Sequence, residues 1–151
     1  MWTNFLLTYL HYISFILVGA ALFTELLLVK SQVSKANLAR IVKADAVYGI
    51  FSIVLVTTGL IRVFYFGKGS DYYFANWIFN LKFSLFILVG LLSILPTVQF
   101  LKLNKKFKQE PKETQINIPN YSKIRISVIL EFFILLLIPF LAILMANGVG
   151  A

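Results

Sequence analysis

A chain of 151 residues with one histidine, no cysteine, two methionines and six acidic side chains has few ways to do chemistry. Six ionisable residues lie within or at the edge of long apolar runs: His11, Glu25, Asp45, Arg62, Lys82 and Glu131. An ionisable group in such a run is costly to insert, so each asks for a reason. The lone imidazole can ligate a metal through one neutral ring nitrogen. Copper is a poor match, because one histidine and two methionines supply too few soft or imidazole ligands. The lack of cysteine removes thiolate chemistry and iron–sulfur clusters. No serine or threonine is spaced to pair with His11 as nucleophile and base, so hydrolysis has no visible apparatus. What His11, Lys82 and Arg62 could hold is an apolar ligand carrying two carboxylates. Haem is such a ligand: a neutral imidazole holds its iron, and basic side chains neutralise its propionates. A single histidine excludes bis-histidine ligation within one chain. The sixth position is then Lys82 as a neutral amine, a second chain's histidine, or open.

The elements that must position these groups follow from composition. The chain is 60% hydrophobic and 13% charged, against about 45–50% and 25% in soluble domains. That excludes a disordered chain, a disulfide scaffold and an ordinary cytosolic enzyme. Four segments, about 5–29, 46–66, 77–101 and 126–146, reach the roughly 20 apolar residues needed to cross a bilayer. The expected fold is all-α, a four-helix transmembrane bundle forming a single membrane domain over 1–151. A barrel is excluded because runs such as Phe132 to Leu137 do not alternate. Pro96 and Pro139 fall inside spans three and four and predict local kinks.

Of the 14 basic residues, 11 lie in the loops at about 30–45 and 102–125. They are Lys30, Lys35, Arg40 and Lys43 in the first, and Lys102, Lys105, Lys106, Lys108, Lys112, Lys123 and Arg125 in the second. By the positive-inside rule these loops are expected to be cytoplasmic, with both termini outside. Trp2, Trp77, Tyr72 and Tyr73 would then sit at the outer interface. Topology accounts for the net charge of +8 better than nucleic acid does, since no recognition motif accompanies it. Lys102 to Lys112 can also meet anionic head groups of membrane lipids. The first span lacks a basic n-region and is expected to be retained. The stretch Gly67-Lys68-Gly69-Ser70 reads as an outer turn, and Pro111 to Pro119, with Glu110, Lys112, Glu113 and Asn117, as a flexible connector.

His11, Lys82 and Arg62 lie roughly 6–10 Å inside the same expected boundary, at about 1.5 Å per residue. Glu25, Asp45 and Glu131 lie toward the opposite one. Thr8, His11, Ser14, Val18, Leu22 and Glu25 share one helical face, Lys82 shares its face with Ile78, Val89 and Ser93, and Arg62 lies above Thr58, Leu55 and Tyr48. No acid inside the spans stands at the level of the three bases; Asp71 is the only nearby candidate. Phe15-Ile16-Leu17-Val18-Gly19 recurs as Phe86-Ile87-Leu88-Val89-Gly90, an offset of 71 that also carries His11 onto Lys82. A parallel repeat of two spans would set those two residues at equal depth on opposite sides of the bundle. Each residue also has a structural reading. His11 can hydrogen-bond between helices, and Lys82 and Arg62 can snorkel. Glu25 and Glu131 can pair with Arg40, Lys43 or Arg125. A proton pathway through Glu25, Asp45 and Glu131 has no spacing to support it. Gly19-Ala20-Ala21 offers a surface for close helix approach, within the bundle or in a homo-oligomer.

Leu10-His11-Tyr12-Ile13-Ser14-Phe15, Ala20 to Glu25, Lys43 to Gly49, Gly59 to Gly69 and Asn80-Leu81-Lys82-Phe83 resemble an uncharacterised bacterial family of small four-span membrane proteins. That resemblance implies a fold and no activity. More distantly, His11 in span one and Lys82 in span three look like the paired histidine and lysine of the haem-containing protoporphyrinogen oxidases. That group is allied to the copper-resistance D membrane proteins. The likeness implies haem binding through His11 and Lys82; Glu25, where a basic residue is expected, departs from the oxidase pattern. The leading expectation is an inner-membrane b-type haem protein, a redox enzyme acting on a porphyrin or another apolar substrate. His11 is its iron ligand, Lys82 a second ligand or proton-transfer group, and Arg62 a carboxylate anchor. The alternatives are a cofactor-free membrane subunit or lipid-interacting module, and a small transporter using the carboxylates.

Overall fold

The computed structural model describes residues 2–109 and 114–150. Helix α1 (Trp2–Leu28) leads to a short strand β1 (Gln32–Ser34) and helix α2 (Lys35–Ile61). A π-helical turn (Arg62–Phe66) prolongs α2, and a small helix α3 (Ser70–Ala75) precedes α4 (Trp77–Gln109). Strand β2 (Gln115–Asn117) and helix α5 (Tyr121–Ala146) complete the chain. Four helical stretches are long and apolar enough to cross a membrane: Trp2–Leu28, Lys35–Phe66, Trp77–Gln109 and Tyr121–Ala146. Helix is what a bilayer enforces, since each backbone polar group must be satisfied within its own segment. The expected four-helix bundle is therefore present. α1 packs chiefly on α2 and α4 chiefly on α5, with α2 against α4 and α1 against α5 closing the ring. Exposed Ile16, Ile53, Leu91 and Phe133 lie on its outside, as a lipid-facing surface requires.

The start of α1, the Phe66–Trp77 connection and the end of α5 share one end of the bundle, called here the termini end. The opposite, sheet end differs from expectation. α2, α4 and α5 run past their apolar cores, so much of the two expected loops is helical. Ser34 supports the start of α2 by accepting a hydrogen bond from the Asn37 N–H at 3.3 Å. Part of the expected flexible connector is a strand. β2 pairs antiparallel with β1, Val33 opposite Ile116. Glu110, Pro111, Lys112 and Glu113 lie outside the described residues. The pair holds because both strands bury a side chain. Val33 and Ile116 join Val29, Leu38, Ile41, Phe100, Leu103, Phe107, Ile118 and Ile124 in one apolar cluster. It lies mostly beyond the expected spans, where apolar burial is rewarded at about 25 cal/mol per Å². Within the bundle a second cluster of Val18, Ala21, Leu22, Tyr48, Val89, Val128 and Leu135 fills the middle. There, packing rather than water exclusion drives association.

Pro96 is buried within α4, and Pro139 lies within α5. Asn76, fully buried, caps α4: its Oδ1 accepts from the N–H groups of Ile78 (2.9 Å) and Phe79 (3.3 Å). Its Nδ2 donates to the Val149 carbonyl at 3.3 Å, tying the chain after α5 to the start of α4.

Candidate functional site

At the termini end the four helices line a half-open cavity of about 600 Å³, within the range of small-molecule and cofactor sites, roughly 300–1,000 Å³. His11, Arg62 and Lys82 all line it. α1 supplies His11 with Thr8, Tyr12 and Phe15, and α4 supplies Lys82 with Phe79, Phe83 and Phe86. Pro139 and Ala142 of α5 form another wall, and Tyr73 of α3 reaches in beside Gly67. The sequence-based convergence of three basic groups at one depth thus has a physical site. His11 and Lys82 face the same space from α1 and α4, helices that are not ring neighbours.

His11 is held by α2. Its Nδ1 lies 3.1 Å from the Leu55 carbonyl oxygen and 3.0 Å from Thr58 Oγ1. A carbonyl only accepts, so Nδ1 carries the proton and donates. Thr58 in turn donates to the Val54 carbonyl at 2.8 Å, which leaves its oxygen free to accept from the ring. In the neutral imidazole Nε2 then keeps its lone pair, and among the described residues both hydrogen bonds of the ring run through Nδ1. Thr58 was legible only as a member of the Arg62 face; that it fixes the histidine depends on how α1 and α2 are rotated. Gly59 is the other residue the sequence did not single out. A Cβ there would lie 3.2 Å from His11 Cε1. Gly59→Val is expected to push the ring off Leu55 while the helices still form. In the reconstituted protein this would show as a change in the His11 ring NMR resonances with unaltered far-UV circular dichroism.

Arg62 begins the π-helical turn, where the widened backbone re-aims the side chains that follow it. The turn closes on Gly67, where a Cβ would sit 2.6 Å from the Tyr73 ring and 2.9 Å from the Arg62 carbonyl oxygen. Only glycine fits there. Lys82 Nζ lies 5.4 Å from the centroid of the Phe79 ring, a cation–π contact within the cavity wall. Arg62 and Lys82 both act electrostatically on His11, and Arg62 on Lys82. Asp71 does not answer them. It is exposed, and its Oδ1 accepts from Ser70 Oγ at 3.4 Å.

The three carboxyl groups form a separate cluster deeper in the bundle. Glu25 is 2% exposed, Glu131 1% and Asp45 8%. They come from α1, α5 and α2, close enough that Glu25 interacts electrostatically with both others. The pairing expected of Glu25 and Glu131 with Arg40, Lys43 or Arg125 is not seen among the described residues; hydroxyl groups contact Asp45 and Glu131, and Glu25 Oε1 has no partner. Thr97 Oγ1 donates to Asp45 Oδ1 at 2.6 Å, and Ser127 Oγ lies 3.3 Å from Glu131 Oε1. Arg125 instead donates to the Val29 carbonyl (3.4 Å) and the Tyr121 hydroxyl (3.0 Å). Among the described residues, no group of three or more His, Cys, Asp or Glu side chains converges tightly enough to share a metal ion.

A family model described as "Predicted membrane protein (DUF2214)" matches residues 3–150. The chain belongs to this family. No curated protein and no solved structure matches it. Membership in DUF2214 agrees with the four spans and the uncharacterised family expected from the residues, and its description carries a membrane setting without an activity. For this DUF2214 protein, function has to be argued from the cavity.

Proposed function

We propose that the protein is a b-type haem protein of a bacterial inner membrane that takes part in oxidising a porphyrin or another apolar substrate. The observation that carries this reading is His11. Its Nδ1 donates to a backbone carbonyl and its ring lines a cofactor-sized cavity beside two cations. Histidines that ligate metals almost always donate their other ring nitrogen in this way, which fixes the tautomer and raises ligand basicity. The donor set fits haem: His11 Nε2 for the iron, Arg62 for a propionate, and Phe79, Phe83, Phe86 and Phe15 for the apolar macrocycle. Lys82 would serve as second ligand or as a proton-transfer group. Bound there, haem would supply one-electron exchange; the chain supplies orientation, charge neutralisation and an apolar wall.

The test is the visible spectrum of protein expressed with haem available and purified in mild detergent, before and after reduction. A stoichiometric haem band is expected. A folded, colourless protein that also refuses added haem would overturn the reading and leave a cofactor-free subunit or lipid-interacting module.

A further inference from the structure

We propose that the bundle carries protons between its carboxyl cluster and the His11 cavity. The argument starts from the interior stripe of α2. Asp45, Tyr48, Ser52, Leu55, Thr58 and Arg62 follow one another at three or four residues, the spacing of a single helical face. Asp45, Tyr48, Leu55 and Thr58 are buried, as is the Ser52 Oγ atom. Thr58 and Asp45 have interhelical hydrogen-bond partners, whereas the buried Ser52 Oγ has none; only Leu55 in this stripe is apolar. The neighbouring helices match it. The antiparallel register that sets His11 against Leu55 brings buried Ser14 level with Ser52. The Tyr48 hydroxyl faces Ser93 of α4, whose own proton goes to the Gly90 carbonyl at 2.8 Å, so the serine oxygen can accept. One step further, Thr97 donates to Asp45 at 2.6 Å.

A second observation points to an occupant. Among the described residues, two buried side-chain polar atoms have no hydrogen-bond partner: Glu25 Oε1 and Ser52 Oγ. Glu25 is 2% exposed and interacts with Asp45 and Glu131, and Ser52 stands between Tyr48 and Thr58 on the stripe. Orphaned buried polar atoms call for water, and a water at each of these two points would extend the polar line from the carboxyl cluster toward the cavity. The titratable groups facing Glu25 are Asp45 and Tyr48 from α2 and Glu131 from α5; α4 contributes the hydroxyls of Ser93 and Thr97. Val18, Leu22, Val89 and Leu135 pack with Tyr48 in one apolar cluster. Asp45, at the edge of the apolar run, is the most accessible of the three acids. Each group passes on one proton as it takes up another, so no co-reactant is consumed. The line stands whether or not the cavity holds haem.

The experiment uses the full chain in sodium-free liposomes with an internal pH dye and a potassium diffusion potential. Wild type is expected to acidify or alkalinise the lumen several-fold faster than protein-free liposomes. Tyr48→Phe, which keeps the ring, and Ser52→Ala are expected to lose most of that excess. Thr24→Ala, which removes an exposed hydroxyl bonded to the Ala20 carbonyl at 2.8 Å, should not. Wild-type liposomes as tight as empty ones overturn the proposal. So does undiminished flux in folded Tyr48→Phe and Ser52→Ala proteins, or flux that needs sodium. The same preparation reports its visible spectrum. Flux without a haem band sinks the haem reading alone, and a haem band without flux sinks the proton line alone.

Discussion

His11→Ala is expected to strip the purified protein of its haem band. The physical size of the effect follows from what the side chain does. Losing an outer-shell partner of a metal ligand lowers metal affinity about 10–100-fold; losing the ligand itself costs more, so haem should not survive purification. Thr58→Val removes one of the two acceptors of Nδ1 and leaves the Leu55 carbonyl at 3.1 Å. It is expected to weaken haem within that 10–100-fold window rather than abolish it. Lys82→Ala separates the two roles offered for the lysine. A shifted but stoichiometric spectrum marks an iron ligand, and an unshifted spectrum with slowed turnover marks a proton-transfer group. A haem band of wild-type intensity in His11→Ala would remove the histidine from the site and with it the proposed assignment.

The second large effect lies at the other end of the bundle. Val33 is 2% exposed, opposite Ile116 in the strand pair and packed in the apolar cluster at the sheet end. Val33→Asp forfeits roughly 1.5–3 kcal/mol of valine burial and puts a carboxylate among aliphatic and aromatic side chains. Destabilisation above about 3 kcal/mol is expected, and the strand pair should open. Limited proteolysis near β1 and β2, together with thermal unfolding in detergent, would read it out. Val33→Thr, similar in size, should fall between the two. Proteolytic and thermal profiles unchanged in Val33→Asp would show that the strand pair does not brace the helices.

The inward face of α1 was legible from residue types alone. Ser14, Val18, Leu22 and Glu25 share a stripe in the sequence and are buried in the structure. So was the convergence of His11, Arg62 and Lys82, because equal distance along the helices from the same boundary places groups at equal depth. The carboxyl cluster was legible only in part: distance along the helices placed Glu25, Asp45 and Glu131 toward one boundary, but that they face one another, buried, rather than Arg40, Lys43 or Arg125 was set by helix rotation. The strand pair was missed for another reason. Gln32-Val33-Ser34 and Gln115-Ile116-Asn117 are three-residue segments whose only signal is one central apolar side chain each.

Composition, apolar run length and the placement of lysines and arginines determined by themselves that this chain forms four spans with long basic connections. Those properties depend only on transfer free energies summed along the chain, which no neighbour can reverse. Which nitrogen of His11 is engaged, which acids meet and which stripe of α2 turns inward were decided by tertiary packing. Helices that are apolar on nearly every side carry little record of their own rotation. The rotation is set where side chains of different helices touch: His11 on Leu55 and Thr58, Thr97 on Asp45, Ser127 on the Leu92 carbonyl.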